Sequence, residues 1–168
     1  ESKPIKGTAA TPAGFLAKDR AENVMIVDLV RNDIGRVCEF GSVHVTALCE
    51  VEPHPGLFHL VSTVRGRLRA GCGWADVMAA TFPPGSVTGA PKIAALGEIA
   101  QLEPVSRGPY CGAIGWVDAD RQRGDLNVAI RTFWFSDGRV HFGTGGAITY
   151  DSDPDGDPMG KVEIEVRR

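Results

Sequence analysis

The sequence predicts an α+β fold, with helices set among antiparallel strands. Helical signals dominate the first hundred residues, around one strand pair. From Cys111 onward the texture turns to short β segments split by tight turns. No internal repeat or low-complexity linker interrupts the chain, and 168 residues suffice for one domain with a core of its own.

Taken in order, Thr11-Pro12 offers a helix start, with Thr11 as cap and Pro12 in the first turn. Leu16, Ala21, Val24, Met25 and Leu29 recur near helical spacing, which predicts a helix over residues 12–34 that stops at Gly35. Val43–Leu48 and Cys49–Glu52 read as strand, ended by Pro53 and Pro55-Gly56. His59–Val64 alternates apolar with polar and predicts a second strand. Trp74–Thr81 predicts a short helix stopped by Pro83-Pro84-Gly85. A second helix over residues 90–101 has Ile93, Leu96, Ile99 and Ala100 as its apolar stripe. Strands follow at Cys111–Val117, Asn127–Phe135 and Val140–Phe142, joined by a charged turn over 118–125 and the tight Ser136–Arg139 turn.

Composition narrows the function classes. A formal net charge of −3 gives no basic field of the kind nucleic-acid binding requires, and Arg65-Gly66-Arg67-Leu68-Arg69 reads as a solvated strand end. Four cysteines (Cys38, Cys49, Cys72, Cys111) never form a C-x-x-C, which argues against a zinc cluster and for reduced thiols. No signal-peptide pattern opens the chain and no apolar run reaches the ~18 residues of a membrane span. The expectation is a cytoplasmic protein with neither a nucleic-acid nor a membrane partner.

Four segments concentrate possible chemistry. Pro83–Lys92 contains a Gly-rich turn feeding a helix, where free N–H groups suit an anion. It is not a P-loop, because the glycine spacing is too short and Lys92 follows proline; taken alone it is a plain turn into a helix. Phe142–Ile148 carries three glycines in four positions, which fits either close approach of a ligand carboxylate or backbone, or a bend. Asp28–Arg36 is dense in opposite charges and reads as a structural ion-pair network. Glu22, taken alone, is a solvated helical carboxylate. Finally, Lys3-Pro4-Ile5-Lys6-Gly7-Thr8 sets a lysine before Gly-Thr, where an amine can serve as a nucleophile.

Together the stretches Pro4–Thr8, Ala21–Val37, His59–Val64, Pro83–Lys92, Gly112–Gly115, Ala129–Thr132 and Gly143–Ser152 resemble the chorismate-utilising enzymes, the family of anthranilate synthase component I and aminodeoxychorismate synthase component I. The strings DLVRNDIGRV and GSVTGAPK are the most specific. Pro-Ile-Lys-Gly-Thr is similar to the aminodeoxychorismate synthases, whereas anthranilate synthases typically carry alanine at the position of Lys6.

The resemblance implies a part of the large α/β sandwich of that family, with antiparallel sheets and packed helices. It assigns residues 1–154 to the C-terminal part of a chorismate-binding catalytic domain and leaves 155–168 as an atypical tail. It implies that Lys6 attacks C2 of chorismate as the 4-hydroxyl departs, and that ammonia from a glutamine amidotransferase partner then enters at C4. Gly7, Thr8, His59, Thr88, Tyr110, Arg131, Gly145, Gly146 and Ala147 match substrate-binding positions, and Glu22 matches a Mg²⁺ ligand. The expected activity is formation of 4-amino-4-deoxychorismate for para-aminobenzoate and folate synthesis. Anthranilate synthase-like and salicylate or isochorismate synthase-like activities are the alternatives.

Departures from the family pattern set a further expectation. The family's general-acid glutamate precedes the lysine motif, where this sequence has only Glu1-Ser2-Lys3. The connection from Thr8 to Lys18 is short, and Gly160 falls where a second metal-binding glutamate is expected. On that pattern the chain by itself is an incomplete enzyme that binds anions weakly, with bare sheet edges and apolar faces.

Overall fold

The computed structural model describes residues 1–146; Ala147 and the whole of the 155–168 tail therefore lie outside the described residues. The chain folds as two units, residues 1–95 and those from 96 onward.

The first unit is built on a three-stranded antiparallel sheet: β1 (Ile5–Ala9), β2 (His44–His54) and β3 (Leu57–Arg65), in the order β1-β3-β2. The sequence predicts β2 and β3 but not β1, which is short and broken by Gly7. Alternation predicts β3 as half exposed, yet Leu60 to Val64 are all buried. Its two polar members lie inside because Ser62 finds partners there, described below.

Helix α1 (Ala17–Gly35) covers the sheet. It starts later than predicted: Pro12–Gly14 form a separate 3-10 turn, and Phe15 and Leu16 are extended. The effective cap is Asp19, whose carboxylate accepts from the Leu16 N–H at 2.7 Å. The predicted apolar stripe is also corrected, since Val24 and Met25 are exposed. The buried face is Asn23, Ile26, Val27, Asp33 and Ile34, at helical spacing. Val27, Ile34, Val37, Cys38, Val64 and Ala80 form the core cluster.

Helices α2 (Trp74–Thr81), α3 (Gly85–Thr88) and α4 (Lys92–Leu102) follow. The single turn of α3 is absent from the sequence prediction. Its Thr88 hydroxyl donates to the Pro84 carbonyl at 2.9 Å, and Gly89, at φ +129°, ends it. Here the two most specific sequence strings meet. Lys92 Nζ lies 2.8 Å from Asp33 Oδ1 and 2.9 Å from the Ala80 carbonyl, while Asp33 Oδ2 accepts from the Gly85 N–H at 3.2 Å. The charge cluster of α1 is thus structural, as the sequence suggests. Its outer members Asp28 and Arg31 pair at the surface, while Asp33 points inward to Lys92.

The second unit contains two hairpins, β4 (Ala113–Asp118) with β5 (Arg123–Val128), and β6 (Phe133–Ser136) with β7 (Arg139–Phe142). The predicted strand over 127–135 is split, because Ile130–Thr132 leaves the ladder and Arg131 takes a positive φ of 52°. Phe133 stacks on Phe142 at 4.5 Å and Trp134 on His141 at 5.2 Å. Ile114, Trp116, Phe133 and Phe135 are exposed, as expected of faces without a covering layer. Among the described residues, no helix is long and apolar enough to cross a membrane.

Removing one partner of a buried pair leaves an uncompensated charge, so Lys92→Ala should cost about 3–5 kcal/mol in urea unfolding. Arg31→Ala, at the exposed pair, should cost less than about 1 kcal/mol. Equal losses would show that Asp33–Lys92 has no special role.

Candidate active site

Strand β1 is irregular at the residue of interest. Ile5 pairs with Val61 and Thr8 with His59, so Lys6 and Gly7 together face one residue of β3. This is a β-bulge, which bends a strand and re-aims a side chain. Gly7 permits it, at φ +101°, and a Cβ there would meet Leu60 Cδ1 at 3.1 Å and Asp19 Cβ at 3.2 Å. The Lys6 side chain, 37% exposed, reaches Glu22 on α1 with Nζ 2.8 Å from Oε2. Lys18 approaches the other carboxylate oxygen at 3.7 Å.

A second irregularity lies across β3. Ala47 pairs with Thr63 and Glu50 with Val61, so β2 bulges at Leu48-Cys49, where Cys49 has φ +53°. Between the two bulges sits Asn23, fully buried. Its amide nitrogen donates to the Lys6 carbonyl at 3.2 Å and the Leu60 carbonyl at 3.0 Å. Its oxygen accepts from Ser62 Oγ at 2.5 Å, and Ser62 Oγ in turn accepts from the Cys49 N–H at 2.9 Å. Sequence reasoning did not find this network. Its signal was an amide on the same helical face as Ile26 and Val27.

The first unit brings Lys6, Gly7, Thr8, Glu22 and His59 to one end of the sheet. Thr8 Oγ1 and His59 Nδ1 are 2.9 Å apart, and the His54 ring meets His59 edge-on at 4.9 Å. Thr88 is held in α3 with its hydroxyl proton committed to Pro84. A shallow cavity of about 220 Å³ beside Arg36, Arg69 and Cys72 includes none of these residues.

In the second unit, Tyr110 lies against the glycine run. A Cβ on Gly143 would collide with the Tyr110 ring, and one on Gly145 would stand 3.1 Å from its Oη. Close approach at Gly143 is therefore used by Tyr110. Arg107 sits over the Tyr110 ring at 5.8 Å from its centre and pairs with Glu103 at 2.6 Å. Burial, followed by the neighbouring Cys111, pushes the Tyr110 hydroxyl above its usual range. Arg131, Gly145 and Gly146 are exposed.

Mg²⁺ takes oxygen ligands, usually one or two carboxylates with water and substrate oxygens. Among the described residues, no three His, Cys, Asp or Glu side chains converge, and both Glu22 oxygens face ammonium groups. These residues alone do not fit a resident divalent ion.

Comparison with known proteins places this arrangement. The chorismate binding enzyme family matches residues 1–157. The chain belongs to that family. It is 48% identical to an aminodeoxychorismate synthase of Streptomyces pristinaespiralis, over 92% of this chain and 23% of the relative. It is 47% identical to aminodeoxychorismate synthase component 1 of Klebsiella aerogenes, over 91% of this chain and 36% of the relative. Among solved structures, anthranilate synthase component I from Streptococcus pneumoniae TIGR4 superposes with a TM-score of 0.64 at 48% identity, over 71% of this chain and 27% of that one. The mixed fold of helices and antiparallel sheets read from the sequence is thus that of the chorismate-binding enzymes. The chain spans only about a quarter to a third of these relatives, by the coverages just given.

The four cysteines are free, and burial raises the thiol pKa of Cys38 and Cys111. A raised folded-state pKa favours the neutral thiol, so this contribution to stability is full below the unfolded thiol value of about 8.5 and is lost as pH rises through the folded one. Iodoacetamide at pH 8 should modify Cys49 and Cys72 before Cys38 and Cys111, read by peptide mass spectrometry. Uniform labelling of the native chain would contradict the burial argument.

Proposed function

We propose that this chain carries the nucleophile-bearing part of an aminodeoxychorismate synthase component I-like enzyme. The observation that carries the reading is the placement of Lys6: it stands at a strand bulge, two residues from Thr8, with its amine 2.8 Å from the Glu22 carboxylate. A nucleophilic amine must lose its proton before it attacks. The aminodeoxychorismate synthases match over 92% and 91% of this chain, against 71% for the anthranilate synthase structure, and Lys6 supports the same reading.

In this reading Lys6 Nζ bonds to C2 of chorismate as the ring double bonds shift and the C4–O bond breaks, the 4-hydroxyl leaving as water. Ammonia then bonds to C4 as the C2–Nζ bond breaks, which returns the lysine as free amine. Splitting one hard substitution into two easier ones is the gain from covalent catalysis. Thr8, His59, Thr88, Tyr110, Arg131, Gly145, Gly146 and Ala147 are proposed substrate contacts, Arg131 through a charge-assisted fork to a carboxylate. Glu22 as a Mg²⁺ ligand belongs to the same proposal and needs a second carboxylate from outside the described residues. A glutamine amidotransferase would supply ammonia, and the product would feed para-aminobenzoate and folate synthesis in the cytoplasm, a compartment with which four free cysteines are consistent.

The test is amination of chorismate with ammonium and Mg²⁺, by the chain alone and mixed with the remaining segments of a curated relative. Lys6→Ala should reduce aminodeoxychorismate formation by about 100-fold or more, and intact-mass analysis should show a chorismate-derived adduct only when Lys6 is present. Unchanged amination by Lys6→Ala would remove the nucleophile assignment. Anthranilate formed without need of Lys6 would favour the anthranilate synthase-like reading.

A further inference from the structure

Between residues 5 and 8 the β1 ladder advances three residues while β3 advances two. Such an offset interrupts the ladder, and buried carbonyls there need another donor or they cost free energy. The donor present is Asn23. One amide nitrogen satisfies the Lys6 carbonyl on β1 and the Leu60 carbonyl on β3, stitching the two strands at the bulge. The amide is oriented by its other end, because the Ser62 hydroxyl donates to its oxygen and is itself tied to the second bulge at Cys49.

The next residue back along α1 is Glu22, which holds the other end of the same lysine. Two consecutive helix residues thus grip Lys6, Asn23 by its backbone and Glu22 by its ammonium group. A side chain can be aimed to within a fraction of an ångström only when its own backbone is fixed, and on an irregular strand that fixing must come from outside the ladder.

We infer that Asn23 is the positioning residue for Lys6: through its bond to the Lys6 carbonyl it holds the β1 bulge that directs the amine toward Glu22. The catalytic meaning of this rests on Lys6 being the nucleophile, but the placement itself does not, and the two can fail separately.

The experiment is reductive methylation of the whole chain, with the rate at each lysine read by peptide mass spectrometry. Asn23→Leu keeps the branching and number of side-chain heavy atoms and removes both donors. The Lys6 rate relative to exposed Lys3 should rise about fivefold, the factor that one lost hydrogen bond supplies. Lys92, paired with Asp33 and with its side chain 11% exposed, should stay protected, which reports that the fold persists. Val27→Ala, a core truncation next to the same network, is the control for general destabilisation and should leave the Lys6 ratio as it was. If Asn23→Leu exposes Lys92, Ser62→Ala takes its place, since it frees the amide without removing it, and a smaller rise at Lys6 alone is expected. No selective rise at Lys6 in the variant that keeps Lys92 protected, or an equal rise in Val27→Ala, overturns the assignment. A selective rise combined with full amination by Lys6→Ala would keep the positioning role and discard the nucleophile.

Discussion

The buried contact between Asp33 and Lys92 is the constraint on which the first unit depends. Side-chain exposures of 10% and 11% leave both charges largely out of water, where they persist only if each finds its partners. Asp33 answers the Lys92 ammonium and the Gly85 N–H, and Lys92 answers Asp33 and the carbonyl of Ala80. One pair therefore gathers α1, the end of α2, the start of α3 and the start of α4. The orientation of Thr88 follows from it, because the turn that carries Thr88 begins at the glycine Asp33 holds.

A different solution operates at the sheet. There the difficulty is unpaired backbone, and the answer is a neutral amide with its full set of hydrogen bonds. Bulges interrupt both neighbours of β3, and those at Lys6-Gly7 on β1 and Leu48-Cys49 on β2 each leave backbone polar groups in need of partners beneath the helix. Placing Asn23 and Ser62 between them satisfies both at once. A network of this kind is worth having only when complete, since a half-satisfied one is worse than an apolar contact. No buried side-chain nitrogen or oxygen among the described residues lacks a partner.

Much of this was legible in the sequence, and the gaps have physical causes. β2, β3, α2 and α4 follow from periodicity and from proline and glycine stops. β1 was missed because a five-residue strand containing Gly7 carries no alternation to read, and its pairing is decided by a partner some fifty residues away. The start of α1 was misread because Thr11-Pro12 is a proper helix signal that the chain uses for one 3-10 turn, while the cap that counts, Asp19, acts from inside the helix on Leu16. The buried stripe was misplaced for a related reason: it contains an asparagine and an aspartate, which a search for apolar repeats skips. Lys6, Thr8, Glu22 and His59 were found through motif resemblance, and the structure pairs Lys6 with Glu22 and Thr8 with His59. Asn23, which ties the Lys6 backbone to β3, was hidden because its role depends on tertiary contacts.

The pairing of β1 with β3 bears on how the protein comes apart. Thr8 and His59 are register partners separated by most of the first unit, and among the described residues β1 has a neighbour on one side only. Closing such a distant contact requires α1 and β2 to be in place first, and an outer strand is the segment most easily released by a local opening. In hydrogen exchange, β1 amides would lose protection well before those of β3. The lysine proposed for chemistry thus stands on a short outer strand, so its geometry reports on the integrity of everything assembled beneath it.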